Sequence, residues 1–371
     1  GVWARDSEGR ALIDMVAGIA VNVLGHAHPA VRRALEEQSA QLIHTSNLYY
    51  TEPQLELAEL LVASAFESRV FFCNSGAEAI EGAIKLARKW GKLNRNGAHV
   101  IVCMDGAFHG RTLGALAATA NRRYQDPFRP LPSGFTHVPF NDIDAIAGAI
   151  DASTCAVLLE PIEGESGIHP LDPGVLQQIR RVCDDYGILL ILDEVQSGMG
   201  RTGAWWAHQH DGAAPDIMTT AKGLGGGVPI GAILAAPRAD VFEPGDHGCT
   251  FGGGPLACAV GSAVMRTIES EGLLEHTVTI GDYLSESIMS LAGEGAPVDH
   301  VRGRGLMLGV GLSEDIAPQV ALAALRAGLI VNAVGARTLR LVPPLIIGRD
   351  EVDEAMRRLR DAFAHVAEER A

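Results

Sequence analysis

The 371-residue chain has no Cys-x-x-Cys pair among its six cysteines, Cys73, Cys103, Cys155, Cys183, Cys249 and Cys258. Most of them fall in apolar strand or helix patterns, so buried free thiols in a reducing cytoplasm are expected. Basic residues are few and scattered, 30 against 45 acidic ones, which argues against nucleic acid or an anionic membrane as partner. Long apolar runs are missing too. A run such as Gly187 to Leu192 stops within a strand's length, so nothing reads as a transmembrane helix. No Gly-x-Gly-x-x-Gly follows the first strand, which weighs against a nucleotide-binding Rossmann protein. Internal repeats and low-complexity linkers are absent. The chain opens on glycine rather than methionine, and Gly1 to Asp6 reads as mid-strand, so the natural N-terminus is expected upstream and the lack of a targeting segment carries little weight.

What is present is enough apolar sequence for one large domain and one smaller one. From about Pro53 to Pro237, short β-branched runs alternate with amphipathic helical stretches, the pattern of a largely parallel sheet covered by helices. Its clearest unit is a strand at Arg69 to Cys73, a turn at Asn74-Ser75-Gly76, and a helix from Ala77 to about Trp90. That helix puts Ile80, Ala83, Ile84 and Ala87 on one face and Glu81, Lys85 and Arg88 on the other. Further strands are expected at His99 to Cys103, Cys155 to Glu160, Ile188 to Asp193 and Ile230 to Ala235. Beyond Pro255 come a long helical region, short strands at Gly305 to Gly311 and Leu339 to Val342, and a last helix with Asp350 as its N-cap. The N-terminal segment, with a hairpin-like start and a helix from Pro29, is expected to pack with this second α+β unit.

Three places carry chemistry. The strand Ile188 to Leu192 must be buried on both faces and ends in Asp193 and Glu194, at the edge where open α/β sheets bind ligands. Asp193 either caps a loop or holds a proton on a pyridine nitrogen, which makes the ring an electron sink. The turn Asn74-Ser75-Gly76-Ala77 points backbone N–H groups and a helix N-terminus from the same edge, where phosphate is the natural guest, although many such turns bind nothing. Lys222 sits among small and apolar neighbours, with no other charged residue between Asp216 and Arg238. Most lysines are solvated; a partly buried one with a depressed pKa is in the state needed for Schiff-base chemistry. The glycines after it are too many for a regular element and suggest backbone passing close to a ligand. His26 and His28 lack a third ligand and read as a turn entering a helix, so no metal is expected, and His109 reads as a supporting group rather than a base.

Together these stretches resemble the class III (omega-amino acid) aminotransferases of pyridoxal-phosphate (PLP) fold type I, over nearly the whole chain. The motifs that carry the resemblance are Asn74-Ser75-Gly76-Ala77-Glu78-Ala79, Phe108-His109-Gly110-Arg111-Thr112, Glu160-Pro161-Ile162-Glu163-Gly164-Glu165, Asp193-Glu194-Val195-Gln196-Ser197-Gly198-Met199-Gly200-Arg201-Thr202-Gly203, Ala221-Lys222-Gly223-Leu224 and His247-Gly248-Cys249-Thr250-Phe251-Gly252-Gly253. Ser46 to Gln54 and Leu339 to Leu345 are most similar to the members acting on N-acetylornithine.

The resemblance implies an α/β, aspartate aminotransferase-like fold. Residues 46–262 would form a large PLP-binding domain on a mostly parallel seven-stranded sheet, and residues 1–45 and 263–371 a smaller α+β domain. The implied cofactor is pyridoxal 5'-phosphate. Lys222 and Asp193 are the implied catalytic pair, and Ser75, Gly76, Ala77, Phe108, Glu194, Val195, Gln196 and Thr250 join them in holding the cofactor. Gly76 and Ala77 would bind its phosphate, Phe108 and Val195 its two ring faces, Asp193 its ring nitrogen and Gln196 its phenolic oxygen. Thr250 would reach the phosphate of the neighbouring subunit, so a homodimer with shared sites is implied.

Lys222 would yield its Schiff-base place to the substrate amine and then carry a proton between substrate and cofactor. The terminal amine of N-acetylornithine would pass to 2-oxoglutarate, giving N-acetylglutamate 5-semialdehyde and glutamate, in arginine biosynthesis. Arg111, Glu165, Arg340, Cys249, Asn47 and Tyr49 are the implied substrate residues. Arg111 would grip the remote carboxylate, while Glu165 would pair with Arg340 in one half-reaction and release it to glutamate's α-carboxylate in the other. The chain departs from the pattern at Ile80, Glu163, Cys249 and Gly254, where asparagine, glutamine, serine or threonine, and asparagine are usual. Glu163 adds negative charge that would disfavour a dicarboxylate. The alternatives are another amine donor (succinylornithine, ornithine, a carrier-bound lysine precursor or 4-aminobutyrate) or a non-catalytic PLP-binding homologue, which would have no need of Lys222.

Overall fold

In the computed structural model, which describes residues 1–370, seven strands of the described residues form the main sheet. Their order is Arg69–Cys73, Gly231–Ala235, Ile217–Thr220, Leu189–Asp193, Thr154–Leu159, Val100–Met104, Phe135–Val138. All run parallel except Gly231–Ala235, which is antiparallel to both neighbours. Leu189–Asp193 and Thr154–Leu159 are buried along their whole length, as a strand covered by helices on both faces requires. Phe135–Val138 and Ile217–Thr220 complete the sheet without a strong apolar signal. The first is a half-buried edge with Thr136 and His137, and the second ends in two threonines just before the Lys222 turn.

The helix after the first of these strands spans Gly76–Asn94, longer at both ends than its apolar periodicity suggests. Ser75 is the N-cap, in extended backbone, with its side chain accepting from Glu78 N–H at 3.3 Å, so Gly76 is already helical. Gly91 does not stop the helix; it lets it pass close to the sheet. A Cβ there would collide with the Ala98 carbonyl oxygen and lie 2.7 Å from Cys155 Cβ.

The second unit is a four-stranded antiparallel sheet in the order Val298–Arg304, Met307–Leu312, Thr338–Leu341, Asn332–Val334. Helices Leu273–Gly293 and Ala317–Arg326 pack on it and Arg349–Arg370 packs on those two, whereas Pro255–Ser270 packs on Pro29–Ser39, Glu52–Ser64 and the Lys222 turn. The N-terminal strands Trp3–Arg5 and Ala11–Asp14 join this end of the chain, because Ala11–Asp14 pairs in parallel with Leu329–Ile330. Asp350 is not the N-cap of the last helix but lies in its first turn. Glu351 reaches back instead and accepts from Gly348 N–H at 3.0 Å, satisfying one of the free N–H groups at the helix start. The glycines after Lys222 are not wholly irregular either: Lys222–Gly225 is a single 3-10 turn. Among the described residues, no helix is long and apolar enough to cross a membrane.

Gly91→Ala is expected to cost about 1–3 kcal/mol by overpacking the helix against the sheet, read as a lower urea midpoint with unchanged m-value.

Candidate active site

The carboxyl ends of the parallel strands converge on a cavity of about 430 Å³. Lys222 follows Ile217–Thr220, Asp193 ends Leu189–Asp193, Glu160 follows Thr154–Leu159, and Ser75 follows Arg69–Cys73; all four line it. Gly76, Ala77, Phe108, His109, Arg111, Val195 and Gln196 line it as well.

The phosphate-type cradle is built by its cap. Glu78 accepts from the backbone N–H (2.7 Å) and side-chain amide (3.0 Å) of Asn74, while Ser75 accepts from Glu78 N–H. This reciprocal cap fixes the turn and leaves Gly76 and Ala77, in the first helical turn, without intrahelical acceptors for their N–H groups. A Cβ at Gly76 would lie 2.9 Å from Val195 Cγ1, so only glycine lets the turn and Val195 approach this closely.

Asp193 is 4% exposed and held on every side. One carboxylate oxygen meets His109 Nδ1 at 2.8 Å; the other accepts from Val195 N–H at 3.1 Å and the Thr219 hydroxyl at 3.3 Å. His109 donates its backbone N–H to Thr119 Oγ1 at 2.9 Å, so both ends of this histidine are placed. Glu160, a group the strand-end argument applied to Asp193 would also have found, accepts from Phe108 N–H (2.8 Å) and Gly164 N–H (3.2 Å). Burial, helped by the Asp193 charge, raises its pKa to about 8. Burial likewise lowers the pKa of Lys222, against the opposing pull of Glu165, Glu160 and Asp193.

Arg340 is 1% exposed, in the strand Thr338–Leu341. It donates to Glu165 Oε1 at 2.5 Å, to the Gly164 carbonyl at 3.2 Å and to Gln196 Oε1 at 3.4 Å, while Asn332 Oδ1 accepts from two of its nitrogens at 2.7 and 3.0 Å. Burial alone would raise the Glu165 pKa, but the Arg340 charge and hydrogen bond bring it below the ordinary value. Arg111 is exposed and stacks 3.8 Å above the Tyr124 ring and 5.5 Å from the Phe108 ring centroid.

Glu165 and Arg340 adjoin the cavity through Gln196 but are not part of its lining, and other sequence candidates lie elsewhere. Glu194 does not line the cavity. The side chain after Asp193 points to the opposite face, where the buried Glu194 carboxylate accepts from Ser197 Oγ (2.6 Å), Ala207 N–H (3.0 Å) and His208 N–H (2.9 Å). Asn47, Tyr49, Cys249 and Thr250 also lie outside the cavity lining. Asn47 donates to the carbonyls of Cys249 (2.9 Å) and Gly252 (3.1 Å), Tyr49 is 68% exposed, and Cys249 Sγ accepts from the Asn74 amide at 3.0 Å. Glu163, outside the lining too, accepts from Ser166 Oγ at 2.7 Å, and burial raises its pKa to about 7. Ile80 is core, and Gly254 is the N-cap of Pro255–Ser270. His26 meets Asp14 Oδ2 at 2.8 Å and His28 accepts from Ala30 N–H, each in a structural contact.

The residues present fit pyridoxal phosphate. A desolvated amine faces the cavity, a fixed carboxylate stands where a ring nitrogen can meet it, free N–H groups suit a phosphate, and Phe108 and Val195 supply apolar flanks.

The family model described as "Aminotransferase class-III" matches residues 1–363. The chain is 49% identical to the acetylornithine aminotransferase of Caldanaerobacter subterraneus subsp. tengcongensis, covering 98% of this chain and 93% of that protein. It is 51% identical to that of Methanopyrus kandleri, over 98% and 92%. The solved N-acetylornithine aminotransferase from Stenotrophomonas maltophilia superposes with TM-score 0.87 at 41% identity, covering 99% and 94% of the two chains. The ornithine aminotransferase from Toxoplasma gondii superposes with TM-score 0.95 at 32% identity, covering 100% and 90%.

Independently of these likenesses, Glu160 should shape stability against pH. Its folded pKa is raised from 4.5 to about 8, so the folded state keeps a proton that the unfolded chain loses. That contribution is full below the unfolded value and is lost as pH rises through about 8. Glu160→Gln is therefore expected to flatten the decline of stability across that interval, and parallel denaturation profiles for the two proteins would refute the assignment.

Proposed function

The chain belongs to the class-III aminotransferases, and from that membership we propose that it transfers the side-chain amine of N-acetylornithine to 2-oxoglutarate, yielding N-acetylglutamate 5-semialdehyde and glutamate in arginine biosynthesis. The fold is PLP fold type I and the cofactor is pyridoxal 5'-phosphate. The observation that carries the two-substrate reading is the pair of half-buried Glu165 and buried Arg340 near Lys222, with Arg111 at the other side. The named acetylornithine relatives support the choice of donor.

When bound, the cofactor supplies a carbonyl carbon that exchanges amines and a ring that accepts the electron pair left by C–H ionisation. With the cofactor bound, Lys222 Nζ would take the proton from the amine-bearing carbon of the substrate and carry it as the acid/base of the transfer. Desolvation, by lowering its pKa, keeps part of this amine neutral and able to act as base. Asp193 holds a proton on the ring nitrogen, and His109 and Thr219 hold Asp193. Gly76 and Ala77 bind the phosphate through N–H groups, and Phe108 and Val195 bracket the ring.

Arg111 binds the carboxylate remote from the reacting carbon in both substrates. Arg340 is neutralised by Glu165 while N-acetylornithine reacts and binds the α-carboxylate when glutamate or 2-oxoglutarate does. Glu163 stands outside the cavity lining and accepts from Ser166 Oγ, and burial raises its pKa to about 7, which weakens its repulsion of a dicarboxylate.

The working assembly is a homodimer, with Thr250 of the partner subunit completing the phosphate site. Support comes from the exposure of Thr250 and of its neighbours Phe251 (69%) and Leu48 (81%). Six free cysteines, five of them buried, accord with a cytoplasmic setting. Residues 46–262 serve as the cofactor-binding unit, and 1–45 with 263–371 as the smaller one.

The decisive measurement is the visible spectrum of the holoenzyme on adding N-acetylornithine without a keto acid. Bleaching of the cofactor band is expected; a band that ignores N-acetylornithine but bleaches with ornithine or 4-aminobutyrate would move the substrate. Lys222→Ala is expected to abolish turnover, and substantial residual transamination at neutral pH would sink its role. Arg111→Ala should raise KM for both substrates about ten- to hundredfold, the scale of a lost charge-assisted hydrogen bond; an effect on glutamate alone would mean the two arginines are misassigned.

A further inference from the structure

The hairpin that carries Glu165 holds a conformation its sequence does not favour. Between its short strands Ile162–Glu163 and His169–Pro170, Gly167 has φ +124° and Ile168 φ +62°. A β-branched side chain in the left-handed region is strained, and such strain persists only where surroundings over-determine it. Ile168 is fully buried in a cluster with Ile162, Met307 and Val342. The second restraint is Arg302, in the strand Val298–Arg304.

Arg302 Nε donates to the carbonyls of Gly167 (2.9 Å) and Ile168 (3.0 Å), so the strained pair is held through its own backbone. Nη2 of the same guanidinium donates to Thr338 Oγ1 at 3.0 Å. Thr338 opens the strand that carries Arg340. The remaining nitrogen donates to His300 Nε2 at 2.6 Å, and His300 Nδ1 meets Asp299 Oδ2 at 3.0 Å, which keeps the fork from turning. The hairpin lies directly on the small sheet: a Cβ at Gly309 would stand 2.5 Å from the Gly167 carbonyl oxygen and 3.0 Å from Ile168 Cβ. Glu165 and Arg340, 175 residues apart in the chain, are thus fastened to one platform by one side chain. Arg302 does not line the cavity and touches neither reacting group.

We propose that Arg302 is the positioning residue of the Glu165–Arg340 pair and thereby sets the balance between the amine donor and the dicarboxylate. This rests on the reading that Arg340 alternates between Glu165 and a substrate carboxylate. With the fork in place, Glu165 stands ready to neutralise Arg340 whenever the carboxylate is absent. Without it the strained turn relaxes, Glu165 leaves Arg340 for more of the time, and an open cation faces the uncharged chain of N-acetylornithine. The half-reaction with glutamate, which needs Arg340 open, is affected less.

The test is single-turnover kinetics of the holoenzyme, followed by cofactor absorbance, with N-acetylornithine and with glutamate separately. In Arg302→Lys the ratio of the two rate constants, N-acetylornithine over glutamate, is expected to fall about tenfold, the scale of one charge-assisted hydrogen bond. Thr338→Val, which exchanges only the accepting hydroxyl for a methyl, should lower the ratio in the same direction by less, and stands in if the arginine variant folds poorly. Glu165→Gln should reproduce the fall, and adding Arg302→Lys to it should produce no further change. Equal slowing of both half-reactions by Arg302→Lys and Thr338→Val, or an undiminished effect of Arg302→Lys in the Glu165→Gln background, would overturn the assignment. A Glu165→Gln enzyme with an unchanged ratio would instead overturn the alternation itself, and the role of Arg302 with it.

Discussion

An amine has to be buried among carboxylates here without being captured by any of them. Desolvation depresses the Lys222 pKa, while Glu165, Glu160 and Asp193 pull it upward. Were one carboxylate free to form a close pair, the ammonium form would win and Lys222 would cease to be a base. The structure avoids this by committing each acid elsewhere. Asp193 is held by His109, Thr219 and the Val195 N–H, and Glu165 by Arg340. Glu160 accepts from the Phe108 and Gly164 N–H groups, and burial raises its pKa to about 8. The lysine feels the carboxylates through space only, and the sheet edge that gathers them also keeps them apart.

The same logic governs Arg340. A buried guanidinium left without a counter-charge is costly, far more so than a pair is favourable. In the proposed alternation Glu165 would act less as a source of stability than as a stand-in for a substrate carboxylate. Exchange of one carboxylate for another leaves the buried charge balance unchanged, so two substrates of different shape can share one site with little electrostatic loss. This exchange needs Glu165 to move while its hairpin stays put. A strained hairpin whose backbone Arg302 ties to the strand of Arg340 meets the second half of that need.

Much of this was legible in the sequence because the signals are local. A five-residue apolar strand ending in Asp193, a glycine-containing turn at Asn74-Ser75-Gly76 before a helix and a lone lysine among small residues each have short-range physical meanings, and the motif resemblance joined them. The sheet strands with strong apolar runs were found to within a residue or two. Ile217–Thr220 and Phe135–Val138 escaped because their burial is set by neighbours in the sheet, not by their own composition. Helix ends were misjudged where a tertiary contact decided the outcome: the helix expected to end near Trp90 runs on past Gly91 against Ala98, and Glu351 takes the place of Asp350 at Gly348. Glu160 was quoted in a motif but given no task, although its place at a strand end matched that of Asp193. The restraint from Arg302 had no sequence signal at all, since its acceptors at Gly167 and Thr338 lie 135 and 36 residues away.

The cavity of one chain is well formed around Lys222, and the turn proposed to take the phosphate lies near exposed apolar side chains. There Asn74 spans two roles: its backbone and amide are held by Glu78, and the same amide meets Cys249 Sγ, beside the exposed Thr250 and Phe251. Asn47 then ties the Cys249 and Gly252 carbonyls to a segment in which Leu48 and Tyr50 are 81% and 87% exposed. An apolar segment of this kind, fastened to the Cys249–Gly252 loop that in turn meets Asn74, is poorly explained as free surface. In the proposed homodimer it would be covered, and ordering it would order the phosphate turn through Asn47, Cys249 and Asn74. Subunit association and cofactor affinity would then be thermodynamically linked, each strengthening the other by the same factor.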